Sequence, residues 1–183
     1  ADNIIGIDGQ PTTVSFIDNE SYNSRGQVDT FTTLIYDLSG SNMILSFDLA
    51  KAQYSSTYND RLQVEISTDC GATYTNIYDK DGLALSTLPT YNSTSSWAPS
   101  SGSDWRNETI DLSAYTNQNV QIKFISINDY SNSTYIDNIV ITGTRSTNTE
   151  NFDDNFLLYP NPVDNQFTIR SKKVDVKKVI IYS

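Results

Sequence analysis

The side chains that could do chemistry are unevenly represented in this chain. It has no histidine, one cysteine and glutamates only at positions 20, 65, 108 and 150. Serine–histidine–aspartate triads, cysteine–histidine pairs and the usual histidine-bearing zinc sites are therefore excluded within it. A glycosidase built on two carboxylates stays open, but Glu65 alternates outward on a predicted strand, where we expect it to be solvated. The residue types favour a role other than catalysis.

The lone cysteine, Cys70, cannot form a disulfide within the chain. It precedes Gly71 at a predicted turn. We expect a small side chain buried beside that turn, with no functional role.

Three carboxylates stand where a cation could hold them together. Asp18 and Glu20 have the parity of the apolar residues on the first predicted strand, and Asp137 has that of the apolar residues on the last. First and last strands lie close together in a jelly roll, so these carboxylates could converge at an edge of the core. A buried carboxylate needs a partner, and Ca²⁺ accepts several oxygen ligands. The sequence predicts a structural Ca²⁺ site here; alternatively, these carboxylates accept backbone N–H groups or face water.

A second acidic group comprises Asp48, Asp60, Asn128 and Asp129. Asp60 and Asp129 fall in or beside predicted loops that could meet at one end of a sandwich. Solvated loop carboxylates are favoured here over a metal site.

Six aromatic residues lie in or beside predicted loops: Tyr54, Tyr58, Tyr91, Trp97, Trp105 and Tyr130. Exposed rings can stack on sugar rings, with Asn and Asp supplying hydrogen bonds. Trp105 is expected to plug a core, with the neighbouring Arg106 bridging carboxylates. Tyr91 and Trp97 lie within a long aperiodic segment and are the predicted glycan-binding residues.

Strand patterns supply the frame for these side chains. From residue 61 to 67 apolar and polar residues alternate, a turn falls at 69–71, and residues 73–78 are again β-branched and aromatic, which predicts a hairpin. Another predicted strand begins at residue 14, and the remaining ones cover residues 31–38, 43–49, 107–112, 120–127 and 135–142. A change of apolar parity near Phe124 predicts a bulge. About eight strands without a convincing helix predict an all-β fold, a two-sheet sandwich and most simply a jelly roll.

The chain is long enough for one such domain and an appendage. We predict a jelly-roll domain over residues 1–143, a polar linker over 144–155 and an appendage over 156–183. In the appendage, residues 156–163 lead into candidate strands at 166–170 and 174–182. Two strands cannot bury a core of their own, so the appendage looks unfinished.

The formal net charge is −10, and five of the 12 basic residues fall within residues 170–183. An acidic body argues against nucleic acid, because phosphate contacts need Lys and Arg. It suits an extracellular surface, a cation or neutral sugars. No apolar run approaches the roughly 20 residues of a membrane helix, and residues 1–9 lack the pattern of a signal peptide.

Two stretches resemble known families. The first has the core motif Leu158, Tyr159, Pro160, Asn161 and Pro162, followed by Phe167-Thr168-Ile169. It resembles the opening of the C-terminal sorting domain of Bacteroidetes type IX secretion cargo. The resemblance implies the opening strands of a small β-sandwich. The family's domain normally runs several strands further, so the resemblance is to a truncated form. It implies export across the outer membrane, recognition by the type IX translocon and its outer-membrane shuttle barrel, and release or anchoring at the cell surface.

The second resemblance covers residues 14–143 and rests on the segments 66–74, 104–108, 110–113 and 135–139 in that order. They resemble the jelly-roll accessory domains, similar to MAM domains and cleaved adhesins, of large secreted Bacteroidetes proteins. Many of those are pappalysin-type zinc metallopeptidases with the zinc site in an upstream catalytic domain, and nothing in this chain matches it. The resemblance implies fold, secretion and an accessory role.

Together these observations predict a non-catalytic C-terminal region of a secreted or cell-surface protein, carrying a signal for type IX secretion and derived from a multidomain metallopeptidase. The alternative is a cell-surface adhesin or carbohydrate-binding module.

Overall fold

Strands dominate the part of the chain that the structure describes. This computed structural model describes residues 4–21 and 23–144 in full, and the backbone of residues 156–159 and 168–171. The strands are β1 (Ser15–Ile17), β2 (Val28–Asp37), β3 (Ser41–Lys51), β4 (Arg61–Ser67), β5 (Thr75–Asp81), β6 (Trp105–Asp111), β7 (Asn119–Ile127), β8 (Thr134–Thr144), β9 (Phe156–Tyr159) and β10 (Thr168–Ser171). A one-turn helix, α1 (Gly82–Leu85), follows β5. The chain divides into two compact units, residues 1–145 and 146–183.

Two four-stranded sheets form the first unit. Their strand orders are β1-β8-β3-β6 and β2-β7-β4-β5, and all pairs are antiparallel. These are the strand orders of an eight-stranded jelly roll. The predicted all-β sandwich is confirmed, and β1 and β8, the first and last of its strands, lie side by side as expected.

The core lies between the two sheets and is built by period-two alternation. Its buried residues come mainly from β3 (Met43, Leu45, Phe47, Leu49), β4 (Leu62, Val64, Ile66) and β7 (Val120, Ile122, Phe124). The ring of Phe124 stacks on Phe31 at 4.7 Å between centroids and meets Phe47 edge-on at 5.3 Å. Aromatic pairs in these geometries add to the stabilisation from burial, and the Phe47–Phe124 contact joins the two sheets.

The bulge predicted near Phe124 is wrong. Alternation in β7 continues without a break, and Ser126 takes the next inward position, 3% exposed. The change of apolar parity arises because this inward position is polar, with the Ser126 hydroxyl 3.4 Å from the Asn19 amide. The irregularity in this pair of strands lies instead in β2, between Thr32 and Ile35.

A second apolar cluster covers the outer face of the first sheet. Ala50, Trp105 and Tyr135 are buried there, 0%, 7% and 6% exposed, beneath the N-terminal segment and residues 97–98. Trp105 Nε1 donates a hydrogen bond to the carbonyl of Ile5 at 2.6 Å. The expected core plug is confirmed, but it closes the outside of the sheet and not the space between the sheets.

Within the described part of the chain, Arg106 contacts one carboxylate, that of Glu108, instead of bridging several. Its Nε lies 2.7 Å from Glu108 Oε1, and its Nη1 donates to the Ser86 carbonyl at 2.7 Å. Lys80 Nζ reaches the other oxygen of Glu108 at 2.8 Å. The buried Glu108 is therefore the shared acid, and the two cations converge on it.

The predicted hairpin is formed by β4 and β5. Cys70, at its tip, is exposed and has a φ of 60°, next to Gly71 with a φ of 88°. The expectation of a buried cysteine is wrong, because two successive left-handed residues turn the tip away from the core. Asp69 stabilises this turn by accepting hydrogen bonds from the backbone N–H of Thr73 (2.8 Å) and the hydroxyl of Ser67 (2.7 Å).

The second unit contains β9 and β10, which pair antiparallel with Tyr159 opposite Thr168. Leu158 and Tyr159 of the predicted sorting motif belong to β9. Pro160, Asn161 and Pro162, residues 145–155 of the linker and the candidate strand at 174–182 lie outside the described residues. The predicted domain boundaries stay predictions. No helix in the described ranges is long and apolar enough to cross a membrane.

The turn at Asp69 makes stability depend on pH. Hydrogen bonds from Thr73 and Ser67 lower the pKa of Asp69 from 3.8 to about 2. Because the folded pKa lies below the unfolded value, the stabilisation is present above the unfolded pKa and is lost as pH falls from about 4 to about 2. We expect Asp69→Asn to destabilise the protein at pH 6, and the difference from the wild type to shrink through this window, as measured by urea unfolding at each pH. A difference that does not change with pH would contradict this account.

Candidate functional site

An open groove of about 630 Å³ crosses the outer face of β1 and β8. Its floor and walls come from the N-terminal segment, from β1, from the turn that follows β1, from residues 96–98 and from the start of β8. The groove exists because β1 is an edge strand of only three residues, so the chain leaves the sheet on either side of it.

An exposed aromatic ring stands in this groove. Phe16 is 55% exposed, because Ile17 is the residue of β1 that packs against the core. The Phe16 ring lies 5.4 Å from the ring of Tyr135, and Tyr135 in turn meets the ring of Trp97 edge-on at 6.0 Å. The Tyr135 hydroxyl donates a hydrogen bond to the carbonyl of Trp97 at 3.0 Å. Phe16 is therefore an exposed ring on a fixed aromatic support.

The sequence patterns did not indicate Phe16 as a binding residue. Its parity with Val14 suggested an inward-facing strand residue, but the structure places both at the groove. A three-residue strand offers too few alternations to show which parity faces the core. The adjacent Ile17 is equally apolar and has the opposite parity, so the sequence pattern fits either residue facing the core.

Asp18 and Glu20 form the acidic end of the groove. Asp18 Oδ1 accepts hydrogen bonds from the backbone N–H groups of Glu20 (3.1 Å) and Ser21 (2.9 Å). Partial burial would raise the pKa of Asp18, but hydrogen bonds from Ser21, Glu20 and Ser133 outweigh it and lower the pKa. The carboxylate of Glu20 accepts the backbone N–H of Ser96 at 2.5 Å, which attaches the 96–98 wall to this end. Asp18 is therefore kept ionised, and an ionised carboxylate only accepts hydrogen bonds.

Asp137 does not join these two carboxylates. β1 pairs with β8 so that Ile17 lies opposite Thr134, and the hydroxyl of Ser133 lies 3.5 Å from Asp18 Oδ1. Asp137 lies four residues beyond Ser133 in the chain, a separation of about 13 Å at the rise of a strand. The predicted set of three ligands is therefore divided between the two ends of β1.

A bulge explains why the parity of Asp137 was misread. Asn138 has a φ of 49°, and the pairing of β3 with β8 shifts register at this point. Ile136 packs in the core, and so does Ile139, three residues later. Asp137 consequently faces the outer surface, where its Oδ2 accepts a hydrogen bond from the hydroxyl of Thr12 at 2.7 Å. Within residues 4–21 and 23–144, no three acidic or cysteine side chains are grouped as a metal site.

The two predicted glycan-binding residues lie apart. Trp97 is half-buried between two residues that line the groove, Ser96 and Ala98. Tyr91 is 48% exposed and does not line the groove. The residue after it, Asn92, donates its backbone N–H to the carbonyl of Gln53 at 2.8 Å, in the loop between β3 and β4.

The loops carrying Asp60 and Asp129 do meet at one end of the sandwich. The backbone N–H of Asp129 donates to Asp60 Oδ1 at 2.5 Å. Asp129 pairs with Arg25 at the surface, as expected of a loop carboxylate. Asp60 does not fit the expected solvated state: its side chain is 1% exposed and contacts the ammonium group of Lys51, which is 2% exposed. Asp48 is separate from both, because it lies within β3 and accepts a hydrogen bond from the Asn107 amide at 2.7 Å.

Comparison with known proteins shows the fold. No family model matches the sequence, and no curated protein matches it significantly. The K3 cleaved adhesin domain of Lys-gingipain from Porphyromonas gingivalis is 15% identical, with a TM-score of 0.50 over 74% of this chain and 80% of that one. TmCBM61 in complex with β-1,4-galactotriose is 11% identical, with a TM-score of 0.40 over 72% and 82%. A family 11 carbohydrate-binding module from Clostridium thermocellum, in complex with a β-1,3-1,4-mixed-linked tetrasaccharide, is 15% identical, with a TM-score of 0.32 over 72% and 89%. The chain shares its sandwich architecture with the adhesin domain.

Proposed function

We propose that this chain is a non-catalytic binding module of a secreted or cell-surface protein, and that the groove over β1 and β8 holds a carbohydrate. The observation that carries the proposal is the exposed ring of Phe16, fixed against Tyr135 and flanked by polar groups. The C–H face of a sugar can stack on such a ring while its hydroxyl groups donate to nearby carboxylates. The adhesin-like fold supports a role at a surface.

The charge of the groove limits the kind of carbohydrate. The carboxylates of Asp18 and Glu20 contribute negative charge, and none of the described residues that line the groove is basic. Acidic sugars would be repelled, because like charges brought together in a partly desolvated site are unfavourable. Neutral and amino sugars are the expected ligands.

Replacing the exposed ring tests this proposal. We expect Phe16→Ala to weaken glycan binding by about tenfold or more, because it removes the ring on which the sugar stacks. A tenfold loss corresponds to about 1.4 kcal/mol of binding free energy. A glycan array containing neutral, amino and acidic sugars would identify the ligand, and calorimetry would compare the variants. Leu34→Ala is the matched control, because Leu34 is 83% exposed on β2 and should leave binding unchanged. An array without a hit would contradict the proposal.

Variants at Trp97 and Tyr91 distinguish two positions for the glycan-binding site. Trp97 supports the groove through Tyr135, so Trp97→Ala should weaken binding in the same assay. Tyr91 lies outside the groove, so Tyr91→Ala should have little effect. The reverse result would place the site in the loops that join β3 to β4 and β5 to β6.

Calcium binding is a separate proposal, confined to the acidic end of the groove. Asp18 and Glu20 would be its side-chain ligands, with backbone carbonyls supplying further oxygens. A ligand that binds the folded state raises its stability, so excess Ca²⁺ should raise the melting temperature and EDTA should reverse the change. Asp18→Asn should abolish the effect while Asp137→Asn retains it. Equal melting temperatures with Ca²⁺ and with EDTA would end this proposal.

A second candidate function concerns residues 156–183. We propose that they are the beginning of a type IX sorting signal, read by the translocon and its shuttle barrel, in a parent protein with an upstream metallopeptidase domain. The antiparallel pairing of β9 and β10 around the Tyr159-Pro160-Asn161-Pro162 motif supports a hairpin of the kind that opens a small sandwich. A His-Glu-x-x-His segment upstream would support the metallopeptidase parent.

Intact mass spectrometry with peptide mapping tests the export signal. If residues 156–183 are a removable signal, the parent protein from cells should contain them, and the protein from the culture medium should end near residues 143–155. A secreted form that retains Tyr159-Pro160-Asn161-Pro162 and ends at Ser183 would contradict this proposal and assign the terminal strands to the mature protein.

A further inference from the structure

A buried amine and a buried carboxyl group lie in contact at the loop end of the sandwich. Lys51 ends β3, and Asp60 immediately precedes β4. Lys51 Nζ contacts Asp60 Oδ2 and also the backbone carbonyl of Asn132. The side chains are 2% and 1% exposed, so water is excluded from both groups.

The other oxygen of Asp60 is held by two backbone donors. The N–H of Asp129 donates to Oδ1 at 2.5 Å, and the N–H of Ser131 lies 3.3 Å from the same atom. Two N–H groups aimed at one carbonyl-type oxygen form the kind of oxyanion hole that stabilises tetrahedral intermediates in acyl transfer. One oxygen of the carboxyl group, Oδ2, thus contacts the amine, and the other, Oδ1, lies in a pair of N–H donors.

Burial favours the reactive form of the amine. It lowers the pKa of Lys51, while the charge of Asp60 and the hydrogen bond to it act in the opposite direction. A lysine amine is a nucleophile only when neutral, and desolvation is one way in which proteins produce that state. In a water-excluded site, a proton can pass from Nζ to Oδ2 and leave an uncharged pair.

We propose that Lys51 and Asp60 condense to an intramolecular isopeptide bond between Nζ and Cγ. After the proton transfer, the lone pair of Nζ attacks Cγ, and the electron pair of the carbonyl moves to Oδ1, held by the N–H groups of Asp129 and Ser131. A proton then passes from Nζ to the Oδ2 hydroxyl, which leaves as water while the carbonyl re-forms at Oδ1. One carboxylic acid and one primary amine thereby give one amide and one water molecule, with no oxidant or cofactor.

The surroundings satisfy the hydrogen-bonding groups of the product. The new amide carbonyl keeps the donors at Asp129 and Ser131, and the new amide N–H has the carbonyl of Asn132 as its acceptor. An uncharged amide also removes two buried charges, whose desolvation is costly. The bond would tie the end of β3 to the start of β4 and close the intervening loop, residues 52–59. This inference does not depend on the carbohydrate proposal, because it uses none of the groove residues.

Peptide mapping of the purified wild-type chain tests the proposal directly. Trypsin does not cleave after an acylated lysine, so the cross-linked protein should give a peptide spanning residues 26–61, uncut at Lys51 and lighter than its sequence by one water molecule. The intact mass should show the same loss after incubation at neutral pH. A full sequence mass, with cleavage at Lys51, would overturn the proposal and leave the pair an ordinary ion pair.

Two lysine variants supply the controls. Lys51→Arg keeps the positive charge but replaces the amine with a guanidinium, so it should retain the full sequence mass. Lys123→Arg changes a lysine that is 22% exposed and paired with Glu65, so it should still lose one water. Loss of water in Lys51→Arg would show that it comes from another residue, for example by cyclisation of an aspartate, and would overturn the assignment. The wild-type peptide map gives a result even if Lys51→Arg does not fold.

Discussion

The burial of Asp60 is the constraint on which the loop end of the sandwich depends. An ionised carboxylate removed from water requires a compensating cation and hydrogen-bond donors. Before the proposed condensation, the ammonium group of Lys51 supplies the charge, and the backbone N–H groups of Asp129 and Ser131 supply the donors. Asp60, Lys51 and the two N–H donors come from three separate parts of the chain. Satisfying one carboxylate therefore fixes where β3 ends, where β4 begins and how the β7–β8 loop passes over them.

The buried polar residues at this end of the sandwich lie on the same inward rows as the residues of the apolar core. The inward positions of β3 run from Phe47 and Leu49 to Lys51, and those of β7 from Phe124 to Ser126. Each sheet therefore changes from apolar to polar inward residues at the same end of the sandwich. Buried polar groups are stable only when hydrogen-bonded, which explains why the chain here forms loops with many side-chain-to-backbone contacts. The β7–β8 loop leads into β8, so its placement also affects the groove that Ser133 and Tyr135 line.

The sequence was informative where alternation is long. For β4 and for the inward row of β3, the predicted buried face is correct, because several successive apolar–polar alternations agree. It failed where backbone geometry, not side-chain type, decides the face. A single left-handed residue, Asn138, reverses the parity of Asp137, and nothing in the apolar pattern marks it except that asparagine tolerates this conformation. Likewise, the pattern of β3 does not show that a charged residue ends its inward row, since lysine is buried only when it is paired. Its partner, Asp60, immediately precedes the next strand.

The state of the carboxylate at the groove argues for recognition over catalysis. A general acid needs a pKa raised towards neutrality, whereas hydrogen bonds lower the pKa of Asp18 and keep it ionised. An ionised carboxylate beside an exposed aromatic ring accepts hydrogen bonds from a ligand and does not protonate it. Three acids are buried among the residues that the structure describes. Asp60 and Glu108 contact cations. Asp48 accepts hydrogen bonds from the amides of Asn107 and Asn138, so all three acids are already paired. What the groove offers is therefore a ring and acceptors, which are the groups that a hydroxyl-rich, uncharged or cationic ligand requires.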